Sequence, residues 1–98
     1  MNPVVLQDGT WFDGDRAIRW ERRYEVEGGY SGELVRQVLW RTRHNRFILE
    51  DWTSSGWEED EVLSKREQIT ENLGIVWLLN AKETIPNDLE QKVLDIEL

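Results

Sequence analysis

The sequence has no cysteine, and only one histidine, one methionine and two prolines among its 98 residues. The missing cysteine rules out disulfides and thiolate-bound metal, and leaves the redox compartment unconstrained. A lone histidine restricts catalysis as well. Any Ser-His-Asp arrangement or histidine metal site would have to use His44, which falls at a predicted hairpin tip, away from the partners that a general base or metal ligand needs. His44 therefore reads as a turn residue, and no catalytic, cofactor or metal site is expected. Neither G-x-G-x-x-G nor G-x-x-x-x-G-K-[ST] occurs, so the glycines form no phosphate loop. No apolar run approaches the ~18 residues of a membrane span, and the first residues, MNPVVLQDGT, lack a basic leader region. A soluble, cytoplasmic, non-enzymatic protein is the expectation.

What the chain does hold is tryptophan and acid. Six tryptophans and the absence of low-complexity tracts argue for a packed aromatic core. A chain of this length buries roughly 60 to 65% of its unfolded surface, enough for a single domain over residues 1–98. The net charge is −8, which opposes nonspecific attraction to nucleic acid or anionic lipid. The charge is unevenly spread. Residues 1–46 balance eight arginines against seven acids, whereas residues 47–98 set four basic groups against thirteen acids.

Along the chain, a short strand or arm near Val4 to Leu6 precedes two Asp-Gly pairs suited to tight turns. Ile18, Trp20, Arg22, Tyr24 and Val26 alternate with Arg19, Glu21, Arg23 and Glu25, and that period of two predicts a strand. The segment EGGYSG reads as a loop. In LVRQVLWRTRHNRFILEDW two β-rich runs flank Arg43-His44-Asn45-Arg46, and Asn45 tolerates the left-handed backbone of a hairpin turn. With His44 and Asn45 as a two-residue loop, Thr42 faces Phe47, and Val38, Trp40, Phe47 and Leu49 share the core side. The opposite side then carries Leu39, Arg41, Ile48, Glu50 and Trp52.

A helix must follow, starting at Ser64, which begins a capping box with Glu67, or at Thr70. Thr70 is preferred because it places Glu71 rather than Lys65 and Arg66 in the first turn. Residues 61–67 then form a further strand. Leu73 to Leu79 are apolar nearly all round, which predicts a buried helix, with Gly74 allowing close approach to the sheet. Pro86 to Ile96 reads as a short C-terminal helix with Leu89, Val93 and Ile96 on one face. The expected fold is α+β: a small antiparallel sheet of about four strands, with its central hairpin over 35–53, packed against a helix over 70–80 and a short terminal helix.

The residues LWRTRHNRFILEDWTSSG, followed by ITENLGIVWLLNAKETIP, resemble a group of small phage- and plasmid-encoded proteins. In that group an L-Y-R-T strand, a G-R-W turn, an aromatic-serine loop and a W-L-L-x-N helix follow in order. The matching positions are Leu39, Arg41, Thr42, Arg46, Leu49, Trp52, Ile69, Thr70, Trp77, Leu78, Leu79 and Asn80. The resemblance implies a fold and a mobile-element origin, and no active site.

Two surfaces compete for function. Glu50, Asp51, Glu58, Glu59, Asp60 and Glu61, with Trp57 as an aromatic anchor, form the expected partner-binding site of an acidic inhibitor. Its carboxylates would stand in for phosphates on the basic surface of a host nucleic-acid-processing protein, as an anti-CRISPR protein, or in a toxin-neutralising immunity protein or antitoxin. The alternative is a nucleic-acid-binding accessory protein using an arginine and aromatic sheet face with Arg19, Arg23, Arg41 and Arg43. Direct nucleic-acid binding is the lesser expectation, and either a monomer or a homodimer fits.

Overall fold

Two Asp-Gly pairs turn the chain at its start. In the computed structural model, which describes residues 1–25, 34–54 and 61–98, β1 (Pro3–Val5) and β2 (Trp11–Asp13) form a two-stranded antiparallel ribbon with Val4 opposite Phe12. Gly9 turns the ribbon at a φ of +89°, a value that a residue without a Cβ adopts freely. The strand at Trp11–Asp13 was not expected. Three residues between turns are too few to display a period.

The main sheet has four antiparallel strands in chain order: β3 (Ile18–Glu25), β4 (Leu34–Arg41), β5 (Phe47–Ser54) and β6 (Val62–Ile69). The alternation from Ile18 to Glu25 and the preferred strand over 61–67 thus take their expected places; Val26 lies outside the described residues. The β4–β5 turn does not. Arg41, not Thr42, lies opposite Phe47; the Thr42 N–H donates to the Arg46 carbonyl at 2.8 Å and the Asn45 N–H to the Thr42 carbonyl at 2.9 Å. Arg43, His44 and Asn45 therefore make a three-residue loop, closed by Asn45 at φ +61°. This left-handed closing residue belongs to the longer hairpin type as well as to the two-residue one. One extra loop residue reverses the faces of β4 relative to β5. Leu39 and Arg41 join Phe47 and Leu49 on one side, and Val38 and Trp40 join Ile48, Glu50 and Trp52 on the other.

Both sides are covered in part. On the first, Leu39 and Phe47 pack with Ile75, Trp77, Leu78 and Leu89 from the helices. On the second, Ile48 packs with Val4, Leu6 and Phe12 of the ribbon, against Trp40. The ribbon is why the second side is drier than the sequence suggests.

Helix α1 spans Glu71–Asn80, and the Thr70 hydroxyl accepts from the Leu73 N–H at 3.2 Å, which is the preferred start. A Cβ on Gly74 would lie 2.5 Å from the Phe47 ring, so the glycine is needed for the approach of helix to sheet. The helix is not buried all round: Gly74, Ile75, Trp77 and Leu78 face the sheet, while Leu73, Val76 and Leu79 are exposed. One more helical segment follows α1. That last segment is a 3-10 turn at Asn87–Leu89 leading into α2 (Glu90–Asp95). Leu89 is buried and Val93 and Ile96 pack on the core, as the spacing predicts.

Candidate functional site

The six acids of the expected partner site do not share one exposed face. Glu50 is only 3% exposed. It lies on the ribbon side of the sheet, where it takes a 2.6 Å bond from Arg66 Nε and a 3.2 Å bond from Trp52 Nε1. Arg66 also donates to the Val5 carbonyl at 3.0 Å, so this ion pair ties the ribbon to the edge strand. Asp51 points to the helix side and accepts from Gln37 Nε2 at 2.8 Å; the Gln37 carbonyl in turn accepts from Trp77 Nε1 at 3.1 Å. Glu50 and Asp51 are thus structural residues on opposite faces, as neighbours on a strand must be, and Glu50 is no part of an exposed acidic surface. Glu61 is exposed and bonded to Arg36 Nε at 2.7 Å. Trp57, Glu58, Glu59 and Asp60 lie outside the described residues.

The arginine face fares no better as a free cationic surface. Arg19, Arg23 and Arg36 all converge on Glu21, at 3.4, 3.1 and 3.4 Å. Burial pushes the Glu21 carboxyl up, but the Arg23 hydrogen bond and the three guanidinium charges outweigh it and hold the group below the usual carboxylate range. Arg19 lies over the Trp40 ring at 5.6 Å and Arg36 over the Trp52 ring at 4.9 Å, so these guanidiniums are stacked and paired within the fold. Arg41 is buried. The corrected register turns it under the helices, where it forms a two-point ion pair with Asp88 and lies 5.9 Å from the centre of the Phe47 ring. The hydrogen bond from Arg41 holds the Asp88 carboxyl below its ordinary value.

Arg43 alone of the four remains available. It sits with His44 and Arg46 on the β4–β5 turn. Among the described basic side chains only Arg43, Arg46 and Lys82 lack a partner. This turn lines a cleft of about 500 Å³ whose other walls come from the ribbon and the sheet, including Leu6, Trp11, Phe12, Ile48 and Gln68. Sequence reasoning missed the cleft because it missed β2. The cluster of Arg43, His44 and Arg46 within four positions was the one signal available.

The second unforeseen surface is the outer side of α1, where Leu73, Val76 and Leu79 are 56, 41 and 44% exposed. At spacings of three residues they form one oblique row along the helix. Among the described residues no group of three or more histidines or carboxylates is placed to hold a metal ion, and no helix is long and apolar enough to cross a membrane. No family model matches the chain, and no similar curated protein or solved structure is found.

Proposed function

We propose that this protein acts by binding another protein, without chemistry of its own, as a mobile-element-encoded inhibitor that covers a basic nucleic-acid-binding surface of a host defence protein, in the manner of an anti-CRISPR. The observation that carries the protein contact is the open row of Leu73, Val76 and Leu79 on α1. A contiguous apolar strip on a rigid helix is the kind of surface that partner proteins cover.

Charge supports a basic partner. The strand ends Glu25, Leu34, Ser54 and Val62 lie together at one end of the sheet. The sequence that joins them, 26–33 and 55–60, contributes Glu27, Glu33, Glu58, Glu59 and Asp60 and no lysine or arginine. The mobile-element origin rests on the resemblance of the hairpin and helix segments to phage and plasmid proteins. A toxin-neutralising immunity protein would use the same contact chemistry, and the identity of the captured partner separates the two.

The test is affinity capture from host lysate with three forms of the protein: wild type, Leu73→Asp with Leu79→Asp, and Glu58→Lys with Asp60→Lys. A nucleic-acid-processing protein held by the wild type, lost by the α1 variant and weakened by the charge reversal is the expected result. Capture of nothing by the wild type, or of the same proteins by all three forms, rejects the reading.

A further inference from the structure

The cleft beside the β4–β5 turn stands apart from α1, and its chemistry is of the opposite sign to that of the molecule as a whole. Its lining takes in Arg43, His44 and Arg46, none of them paired with a carboxylate of the described residues. Every other arginine of the described residues has a partner within the fold, so two unpaired guanidiniums lining one cleft mark a place where an anion gains the contacts that the protein leaves open. One acid, Asp13, does line the cleft. Its carboxylate is already taken up by the backbone N–H groups of Asn2, at 2.9 Å, and Asp15, at 3.1 Å, and by Arg16. Those bonds, the Asn2 bond first, keep it ionised and directed at its own partners.

The interior of the cleft is apolar and aromatic. Phe12 and Ile48 are buried in its floor, and Phe12 is held edge-on to Trp40 at 5.3 Å. Trp11 stands in its wall with 54% of its surface open. An exposed indole that lines the same cleft as free guanidinium groups offers a nucleobase a face to stack on while its phosphate is held. Gln68 projects from the neighbouring strand into the same space, and its amide has the paired donor and acceptor that read a base edge. The volume, about 500 Å³, lies within the range of small-ligand sites.

From these features we infer that the cleft binds a nucleoside monophosphate unit, its phosphate on Arg43 and Arg46 and its base against Trp11. Such a unit reaches the protein either as a free nucleotide or as the phosphorylated end of a single strand.

Titration with adenosine 5′-monophosphate, followed by tryptophan fluorescence and by the NMR shift of the Trp11 indole, tests this. Saturable binding is expected, weaker by about tenfold or more with adenosine alone or inorganic phosphate alone, since stacking and phosphate contacts each supply part of the affinity. Arg43→Ala with Arg46→Ala should lower the affinity by about tenfold or more and flatten its salt dependence. Neither guanidinium has a partner in the fold, so an unchanged near-UV circular dichroism spectrum is expected for that variant. A short 5′-phosphorylated oligodeoxynucleotide that binds more tightly than the free nucleotide identifies a strand end as the source, and the reverse order identifies the nucleotide. Absence of saturation with either, adenosine binding as well as its monophosphate, phosphotyrosine binding more tightly, or an unaltered affinity in the folded arginine variant overturns the proposal.

Discussion

Phe47 meets α1 at the one residue of the helix that has no side chain to offer. The ring is fully buried, and a methyl group on Gly74 would enter it at 2.5 Å from the nearest carbon. Gly74→Ala therefore sets two effects against each other: about 1 kcal/mol gained in helix propensity and about 1 to 3 kcal/mol lost to overpacking. Because the obstructing atoms belong to a pinned aromatic ring and not to a flexible tip, the loss wins. A net destabilisation of up to about 2 kcal/mol is expected in denaturant melts. The need for a glycine at this position was legible in the sequence, as a break in an otherwise apolar run. The fate of Glu50 was not. Nothing in the order of residues reveals that Arg66, sixteen positions on, will neutralise it inside the sheet.

Element boundaries were readable where local chemistry sets them. Thr70, followed by an acid and then by apolar residues, marks the start of α1, and the structure gives its hydroxyl the Leu73 N–H to hold. Thr70→Ala removes that cap and should cost about 1 kcal/mol of stability, seen as a lower thermal midpoint with the far-UV spectrum of the folded state retained. Ser64, the competing start, lies mid-strand in β6, where its hydroxyl pairs with that of Thr53 at 3.1 Å. The β4–β5 register was harder to read because both faces of the two strands carry large apolar residues. Periodicity fits either phase in such strands, and loop length alone decides. A turn of three residues instead of two moved Arg41 from an imagined binding face into the interior and brought Leu39 to the core.

At the scale of the molecule, carboxylates hold the layers together. Asp88 joins the C-terminal segment to the sheet through Arg41, and Glu21 gathers Arg19, Arg23 and Arg36. Asp13, Glu21 and Asp88 all have folded-state values below the ordinary 3.8 of aspartate or 4.5 of glutamate. A depressed value means that the folded state binds protons less readily than the unfolded chain. Their contribution is complete above the ordinary range and disappears as the pH falls through the folded values. Stability should hold steady down to about pH 5 and then decline. Asp88→Asn should lower the midpoint at neutral pH and make the acid limb shallower; an unchanged limb in urea melts between neutral and acid pH would show that the Arg41 pair carries no linkage. Sequence reading foresaw the excess of acid but not its use in joining layers, because distance along the chain does not reveal which guanidinium each carboxylate meets.

The order of the main sheet has a kinetic meaning. Each of its strands takes as neighbour the strand made just before it, so every pairing closes a short stretch of chain at small entropic cost. A nascent polypeptide leaving the ribosome would meet each mate almost as soon as it emerged. The helical segment of Asp88 has farther to come, since it must travel back across 47 positions to reach Arg41.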